Sequence, residues 1–336
     1  MKIGPIDLAS DVLVVAEIGN NHEGDVGLAE ELVCRAAAAG AQAVKFQTIR
    51  PELLVSSADA ARLAQLRRFA LREADFQRLA DVARRQGVMF ISTPFHLGAV
   101  HFLDPLVPAF KVASGDVDFL PLLDAIAATG KPVLLSTGAS DLAVVARSTE
   151  FLDKAWRKHK RRGDLVLLHC VVSYPTPAAS ANLNAITALK QLSPWVGYSD
   201  HTMGIEAAVL SVALGARVIE KHFTIDKNHS DFRDHKLSAD PEELAELVRR
   251  VREAVAMLGD GVKRVLDCEQ ATVGLVRRAI AAGRDLAEGS AIAATDLVWL
   301  RPRAQGLAPG SEERLIGRRL RRAVAAGQPI LPEDVA

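Results

Sequence analysis

The sequence has little of what marks a secreted, disulfide-bonded or membrane-spanning protein. Its 336 residues include three cysteines, Cys34, Cys170 and Cys268, and no CxxC pair, which argues against both a disulfide framework and a structural zinc site. No basic segment followed by an apolar one opens the chain, and no apolar run is long enough to span a bilayer. We therefore expect a reduced, cytoplasmic protein with no membrane partner.

Net charge is also absent, because 41 Lys and Arg residues balance 41 Asp and Glu residues. A neutral chain gives no indication of a nucleic-acid partner or of an anionic membrane surface. The basic run at residues 158–162 falls at the end of a predicted helix, where a solvated helix end is the simplest interpretation. The length suits one large domain plus a small one, or two medium ones.

Eight short runs rich in Val, Ile, Leu or Phe recur along the chain. Near-continuous apolar runs are typical of strands buried on both faces of a parallel sheet. The predicted strands are Val12–Gly19, Ala43–Thr48, Val88–Pro94, Ala109–Gly115, Pro132–Gly138, Leu165–Val171, Trp195–His201 and Arg217–Phe223.

Helical patterns alternate with these strands. Asp25 can cap a helix that runs to Ala39 and ends at Gly40. Eight strand–helix units in about 250 residues match the size of a (β/α)8 TIM barrel, which we place at residues 1–259. A doubly wound α/β sheet usually has fewer strands, and no GxGxxG follows any strand here. The other predicted helices are Asp75–Gln86, Phe119–Thr129, Ala143–Lys158, Leu183–Leu192, Ile205–Leu214 and Pro241–Leu258, with a shorter one near Leu97–Leu106.

The pattern changes after about residue 283, where long helical periodicity stops. Leu286–Leu297 aligns without gaps with Val324–Val335, 38 positions later, with matching glycine, isoleucine and aspartate. Two such strand–turn–strand units predict a small pseudo-symmetric β-module over residues 283–336, with residues 260–282 as its linker.

Polar side chains end nearly every predicted strand. In a parallel barrel these carboxyl ends share one face, which carries the active site. Buried polar groups are costly unless they are satisfied, so eight strands ending this way indicate a site rather than packing alone. Lys221 and Asp200 are doubtful members, because alternate strand residues face the helices. The candidates are Glu17, Lys45, Gln47, Thr93, Lys111, Ser114, Tyr174, Ser199, His201, Glu220 and His222.

Two histidines are the best metal candidates. His201 and His222 end consecutive strands, which lie roughly 5 Å apart in a sheet, so one divalent cation could bridge them. Imidazoles with the remaining positions open would suit Mn²⁺, Zn²⁺, Fe²⁺ or Co²⁺. On spacing alone, two core or substrate-binding histidines explain the pattern equally well.

Cations and hydroxyls on several strands suggest a small phosphorylated carboxylate as ligand. The side chains concerned are Lys45, Lys111, Ser114, Thr93 and Ser199. Ion pairing within the barrel is the alternative, although two lysines on separate strand ends favour a site for a polyanion.

Eight motifs follow one another along the barrel, and two more lie in the tail. The motifs are AEIGNNHEGD (16–25), VKFQT (44–48), STPF (92–95), KVASGD (111–116), HC (169–170), YPTP (174–177), GYSDHT (197–202), IEKHFT (219–224), WLRP (299–302) and LIGRRL (315–320). Together they resemble the N-acetylneuraminate (sialic acid) synthase family, and the tail resembles its C-terminal antifreeze-like (SAF) domain.

The resemblance implies a synthase that condenses phosphoenolpyruvate with an N-acylated hexosamine and releases phosphate by C–O cleavage. The product would be a nine-carbon 2-keto-3-deoxy sugar acid. The metal would be Mn²⁺, with Mg²⁺, Co²⁺ or Zn²⁺ as alternatives. The implied roles are metal ligation by His201 and His222, phosphoenolpyruvate binding by Lys45, Thr93, Lys111, Ser114 and Ser199, and sugar contacts by Glu17, Tyr174 and Asp234. Our own hypothesis adds catalysis: Lys45 and Lys111 would stabilise charge on the phosphate and carboxylate, and Glu17 or Glu220 would transfer a proton. Gln47 is a further candidate for substrate binding.

The resemblance also implies a homodimer with swapped domains, in which Arg301 reaches the active site of the partner subunit. Two departures leave the sugar open. Val172 stands where the family usually has a small polar residue, and residues 230–236 differ from the family pattern just before Asp234. Related members make sialic, legionaminic, pseudaminic or spore-coat sugars.

Four other functions remain open from the residues. A Schiff-base aldolase could use Lys45, Lys111 or Lys221, and a metal-dependent sugar aldolase could use the same barrel. A metal-dependent sugar isomerase would need no phosphoenolpyruvate. A non-catalytic sugar-binding relative is the fourth alternative, although such a relic would be expected to lose its strand-end polar residues.

Overall fold

The computed structural model describes residues 1–301 and 306–336. The chain divides into two compact units, Met1–Gly259 and Asp260–Ala336. Among the described residues, no helix is both long and apolar enough to cross a bilayer.

The first unit is built around eight parallel strands. Hydrogen-bonded ladders join them in the order β3-β2-β1-β8-β7-β6-β5-β4, and β3 packs beside β4, so the sheet curls into a barrel. The predicted TIM barrel is confirmed. The strands are β1 (Leu13–Gly19), β2 (Ala43–Thr48), β3 (Met89–Pro94), β4 (Phe110–Val112), β5 (Val133–Ser136), β6 (Leu165–Cys170), β7 (Trp195–Asp200) and β8 (Ala216–His222).

Helices surround these strands. Asp25 caps α1 as predicted, since its carboxylate accepts the backbone N–H groups of Gly27 and Leu28 at 2.7 and 3.1 Å. The prediction missed α2 and α3, although Leu63, Leu66 and Phe69 recur at helical spacing. The helices are α1 (Val26–Ala38), α2 (Pro51–Leu54), α3 (Ala60–Phe69), α4 (Glu73–Arg85), α5 (Leu97–Leu103), α6 (Leu120–Thr129), α7 (Leu142–Lys158), α8 (Ala185–Leu189), α9 (Glu206–Ala213), α10 (Asp234–Leu237) and α11 (Pro241–Leu258).

The barrel interior is apolar at one end and polar at the other. A hairpin of Lys2–Ile3 and Ile6–Asp7 packs Ile3 against buried residues from the amino-terminal halves of the strands, including Leu13 and Val218. Because side chains alternate across a strand, the same inner face of β1 and β8 ends in Glu17 and His222. Buried polar groups are therefore concentrated at the carboxyl-terminal end.

The second unit contains helix α12 (Gln270–Val276) and an antiparallel pair, β9 (Ala279–Ala282) with β10 (Leu297–Leu300). Strand β9 lies inside the stretch predicted as a linker. It was missed because three of its four residues are alanine, which gives a weak strand signal. The internal repeat has a structural counterpart. Leu286 pairs with Val324, and the ion pairs Arg284–Asp296 and Arg322–Asp334, at 2.7 and 2.6 Å, occupy equivalent places 38 positions apart.

Candidate active site

A pocket opens at the carboxyl-terminal end of the barrel. It brings together every candidate from the first unit, drawn from seven of the eight strands or from the loops that follow them. The residues concerned are Glu17, Lys45, Gln47, Thr93, Lys111, Ser114, Tyr174, Ser199, His201, Glu220, His222 and Asp234.

Two lysines and two carboxylates form the floor of this pocket. Lys45 Nζ lies 2.8 Å from Glu17 Oε2 and 3.7 Å from Glu220 Oε1, while Lys111 Nζ lies 3.9 Å from the same Glu220 oxygen. All four side chains are at most 6% exposed. The register that pairs Glu17 with Lys45 on neighbouring strands produces this arrangement. The floor therefore holds two cations balanced by two anions in a nearly dry site.

Hydroxyl and amide groups add hydrogen bonds to this floor. Each lysine has a hydroxyl partner, and one oxygen of each carboxylate accepts from a neutral side chain, which offsets part of the cost of burying the charges. The bonds run from Lys45 to Thr93 Oγ1 (3.3 Å), from Lys111 to Ser136 Oγ (2.7 Å), from Gln47 Nε2 to Glu17 (3.1 Å) and from Ser199 Oγ to Glu220 (2.9 Å). Glu220 Oε2 is buried without a hydrogen-bond partner among the described residues.

The pKa values of the two carboxyl groups, Glu17 and Glu220, are shifted in opposite directions. Burial raises the pKa of Glu17, and this outweighs the opposing charge of Lys45. Burial also acts on Glu220, but the charges of Lys111 and Lys45 hold its pKa below the usual range. Two neighbouring carboxyl groups whose pKa values are shifted apart in this way suit different acid–base roles. The pKa of Lys111 is lowered by burial, whereas Glu17 and Glu220 overcome burial and raise that of Lys45.

His201 and His222 face each other above this floor, with ring centroids 5.4 Å apart, and Tyr174 packs on His201 at 4.1 Å. His222 Nδ1 is buried without a hydrogen-bond partner among the described residues. Burial, and then the charge on His201, lowers the pKa of His222 well below its usual value, so this imidazole is neutral, as a metal ligand must be.

The chemistry of the donor set fits a loosely held divalent ion. His201 Nδ1 lies 2.7 Å from the carbonyl of Val171, which leaves Nε2 for a ligand. Burial lowers the pKa of His201, but its contacts with Cys170 and Val171 outweigh burial, so a metal must displace a proton there. No cluster of three or more His, Cys, Asp or Glu ligands occurs in the described part of the chain. The imidazole pair thus suits an open site that water or substrate completes.

The outer wall of the pocket was largely missed by the sequence analysis. Leu66 and Phe69 of α3 lie there with Phe232 and Arg233, which follow β8. Phe69 and Phe232 pack edge to face with centroids 5.0 Å apart, and the guanidinium of Arg233 lies 4.7 Å above the ring of Tyr174. Only the apolar spacing of α3 could have indicated this wall, since residues 226–233 have no regular pattern.

Lys221 and Asp200, which the sequence analysis had left out of the candidate set as doubtful, do not line the pocket. Lys221 Nζ pairs with Asp200 Oδ2 at 3.0 Å on the outer face of the strands, where both side chains are at most 1% exposed. Lys221 also donates to the carbonyl of Thr202 at 2.5 Å. Through these contacts Lys221 restrains Asp200 and Thr202, the two residues on either side of His201. Arg301 belongs to the second unit and is exposed, so its role remains a prediction.

These features define a (β/α)8-barrel enzyme with a C-terminal β-module. The chain belongs to the NeuB family, whose model matches residues 32–263, and a SAF domain matches residues 277–336. The family and the SAF domain predicted from the motifs are therefore confirmed.

Three similar proteins illustrate the family. An uncharacterized protein from Methanocaldococcus jannaschii is 44% identical, over 90% of this chain and 89% of that protein. N,N'-diacetyllegionaminic acid synthase from Legionella pneumophila is 37% identical, over 99% of this chain and 97% of the synthase. The structure of N-acetylneuraminic acid (sialic acid) synthetase from Leptospira borgpetersenii, in complex with citrate, has a TM-score of 0.76 at 33% identity and covers 81% of this chain and 94% of that one.

Proposed function

We propose that this protein condenses phosphoenolpyruvate with the open-chain aldehyde of an N-acylated amino sugar. The product is a nine-carbon 2-keto-3-deoxy sugar acid of the sialic or legionaminic type, and phosphate is released. The observation that carries the proposal is the buried floor of Lys45 and Lys111 beneath the paired imidazoles. Relatives named as legionaminic and sialic acid synthases support it.

Phosphoenolpyruvate binds at the floor, where both lysines meet its carboxylate and phosphate and the hydroxyls of Thr93, Ser114 and Ser199 complete the contacts. Its C3 carbon attacks the aldehyde carbon, which leaves C2 electron-poor. Water adds to C2, and the tetrahedral intermediate loses phosphate by cleavage of the C–O bond. The lysines stabilise the charge that collects on the phosphate, because the dry floor strengthens their field.

Glu17, the carboxyl group whose pKa is raised, is the proposed proton-transfer group. Glu17 lines the pocket beside the aldehyde site and holds a proton more readily than Glu220 does. It can protonate the oxygen that develops from the aldehyde. Glu220 stays ionised and keeps both lysines charged and in place, with a proton-transfer role as its alternative.

A divalent ion, Mn²⁺ in our proposal, would be held by His201 and His222. When bound, it supplies Lewis-acid polarisation of the acceptor carbonyl. Tyr174, Gln47 and Asp234 orient the acceptor. Two further properties belong to the proposal: a cytoplasmic location, and a homodimer in which Arg301 reaches the acceptor site of the partner subunit.

Phosphate release from phosphoenolpyruvate, measured across a panel of N-acyl hexosamines, tests the function. Release with at least one acceptor and none without acceptor is expected. The variant Lys111→Met should abolish it, while Lys154→Met, which alters an exposed ion pair, should not. EDTA should inhibit and Mn²⁺ should restore activity. Inactivation by borohydride and pyruvate would instead identify a Schiff-base aldolase, and acceptor isomerisation without phosphoenolpyruvate an isomerase.

A further inference from the structure

The turn between β1 and α1 lies next to the two segments that form the outer wall of the pocket, and only its first residue, Asn20, lines the pocket. This turn, residues 20–25 between β1 and α1, contains Glu23. The wall segments are α3 and residues 226–237, which follow β8. The carboxylate of Glu23 reaches both: it accepts hydrogen bonds from Ser230 Oγ and, at 3.2 Å, from His235 Nε2, and it lies 3.7 Å from the guanidinium of Arg68.

The backbone of the turn approaches α3 closely. Glu23 has φ of 45°, in the left-handed region that non-glycine residues rarely adopt. Gly24 has φ of 89°, and a Cβ there would lie 2.2 Å from the carbonyl oxygen of Arg68. Such backbone persists only where its surroundings hold it. The turn therefore presents the carboxylate of Glu23 between the two wall segments at a conformational cost.

Ser230 and His235, which hydrogen-bond Glu23, flank three residues that line the pocket, Phe232, Arg233 and Asp234. Ser230 Oγ accepts the backbone N–H of Phe232 at 3.0 Å, so the bond from Ser230 to Glu23 also restrains Phe232. Arg233 and Asp234 follow at once, and Arg233 covers Tyr174. The lysine–carboxylate floor, by contrast, is held by strand register, and the turn reaches it only from Asn20 through Gln47.

We propose that Glu23 is a positioning residue for the acceptor sugar. By tying α3 to residues 226–237, it holds Phe232, Arg233 and Asp234 around the outer half of the pocket. Glu23 does not itself line the pocket, so it acts only through those residues. The inference rests on the proposed function, in which the acceptor occupies this outer half and phosphoenolpyruvate the floor.

Steady-state kinetics of Glu23→Ala distinguish an effect on acceptor binding from an effect on phosphoenolpyruvate binding. Losing hydrogen bonds to a charged group should raise KM for the acceptor about tenfold, with kcat and KM for phosphoenolpyruvate changed less than about twofold. Glu23→Gln keeps an acceptor for Ser230 and should show a smaller rise. The matched control is Glu30→Ala, which breaks the ion pair with Arg78 away from the pocket and should behave as wild type.

Hydrogen–deuterium exchange gives a second readout that needs no activity. Residues 226–237 should exchange faster in Glu23→Ala than in Glu30→Ala, and the barrel strands should be unchanged. An acceptor KM equal to that of the control, or equal rises in both KM values, overturns the inference. If Glu23→Ala does not fold, Glu23→Gln carries the same comparison. If the wild type releases no phosphate with any acceptor, the proposed function fails, and the exchange data alone decide whether Glu23 ties the segments.

Discussion

Lys45→Met is the sharpest test of the charge arrangement at the barrel floor. Lys45 is the cation nearest to both Glu17 and Glu220, at 2.8 and 3.7 Å, and its side chain is 4% exposed. Methionine fills a similar volume without charge. The change therefore leaves two buried carboxylates facing each other, with only Lys111 as a more distant cation.

The expected cost is large because the two carboxylates would keep only one neutral donor each, Gln47 and Ser199, and the more distant Lys111. Removing one partner of a buried ion pair typically destabilises a protein by about 3–5 kcal/mol. The exposed pair of Lys154 and Glu150, at 3.6 Å with side chains about 70% exposed, should contribute no more than about 0.5 kcal/mol. Lys154→Met is thus the matched control.

The loss of folding stability in Lys45→Met should increase as pH rises. Burial and the charge of Glu220 both raise the pKa of Glu17, and in the variant Lys45 no longer opposes them. A carboxyl whose pKa is higher in the folded than in the unfolded state binds more protons when folded, so stability falls as pH rises above the unfolded value. The deficit should be greatest near pH 8 and shrink towards pH 5, by up to about 1.4 kcal/mol per pH unit for one group.

Urea unfolding of wild type, Lys45→Met and Lys154→Met at both pH values measures this directly. Phosphate release by Lys45→Met should fall about 10²–10³-fold, as for the loss of one well-placed electrostatic contact in other enzymes. A stability loss no larger than that of the control, or one independent of pH, would refute the idea that Lys45 neutralises the two carboxylates.

Three further variants probe other parts of the barrel. Lys221→Met should cost about 3–5 kcal/mol in urea unfolding, and adding Asp200→Leu should recover part of it; a double variant no more stable than the single one would contradict the buried pair. His222→Gln should weaken Mn²⁺ binding in titration calorimetry by at least about tenfold, since even the loss of a hydrogen-bond partner of a metal ligand reaches that size, with an unchanged circular dichroism spectrum; unaltered affinity would exclude His222 as a ligand. Gly197→Ala places a Cβ 2.4 Å from Leu168 Cδ2 and should cost about 1–3 kcal/mol in thermal unfolding; a neutral result would show that the strands can separate there.

Much of the fold was predictable because its signals are local. Strand β2 and helix α11 have the bounds predicted from periodicity. Strand β4 was predicted as Ala109–Gly115 but ends at Val112, because Ser114–Asp116 turns into a 3₁₀ helix whose start no side chain signals. The candidate site was predictable for a related reason: in a barrel, strand ends must converge, so polar residues there could be grouped before any contact was known.

The sequence by itself determined which segments form the eight barrel strands, which of them end in polar residues, and the family to which the chain belongs. Only the tertiary structure decided which charges meet. Lys45 lies between Glu17 and Glu220 because the register of three strands brings them together. Glu23 contacts Ser230 and His235 across more than 200 residues of chain. Such contacts arise from closure of the barrel, and no periodicity in the chain encodes them.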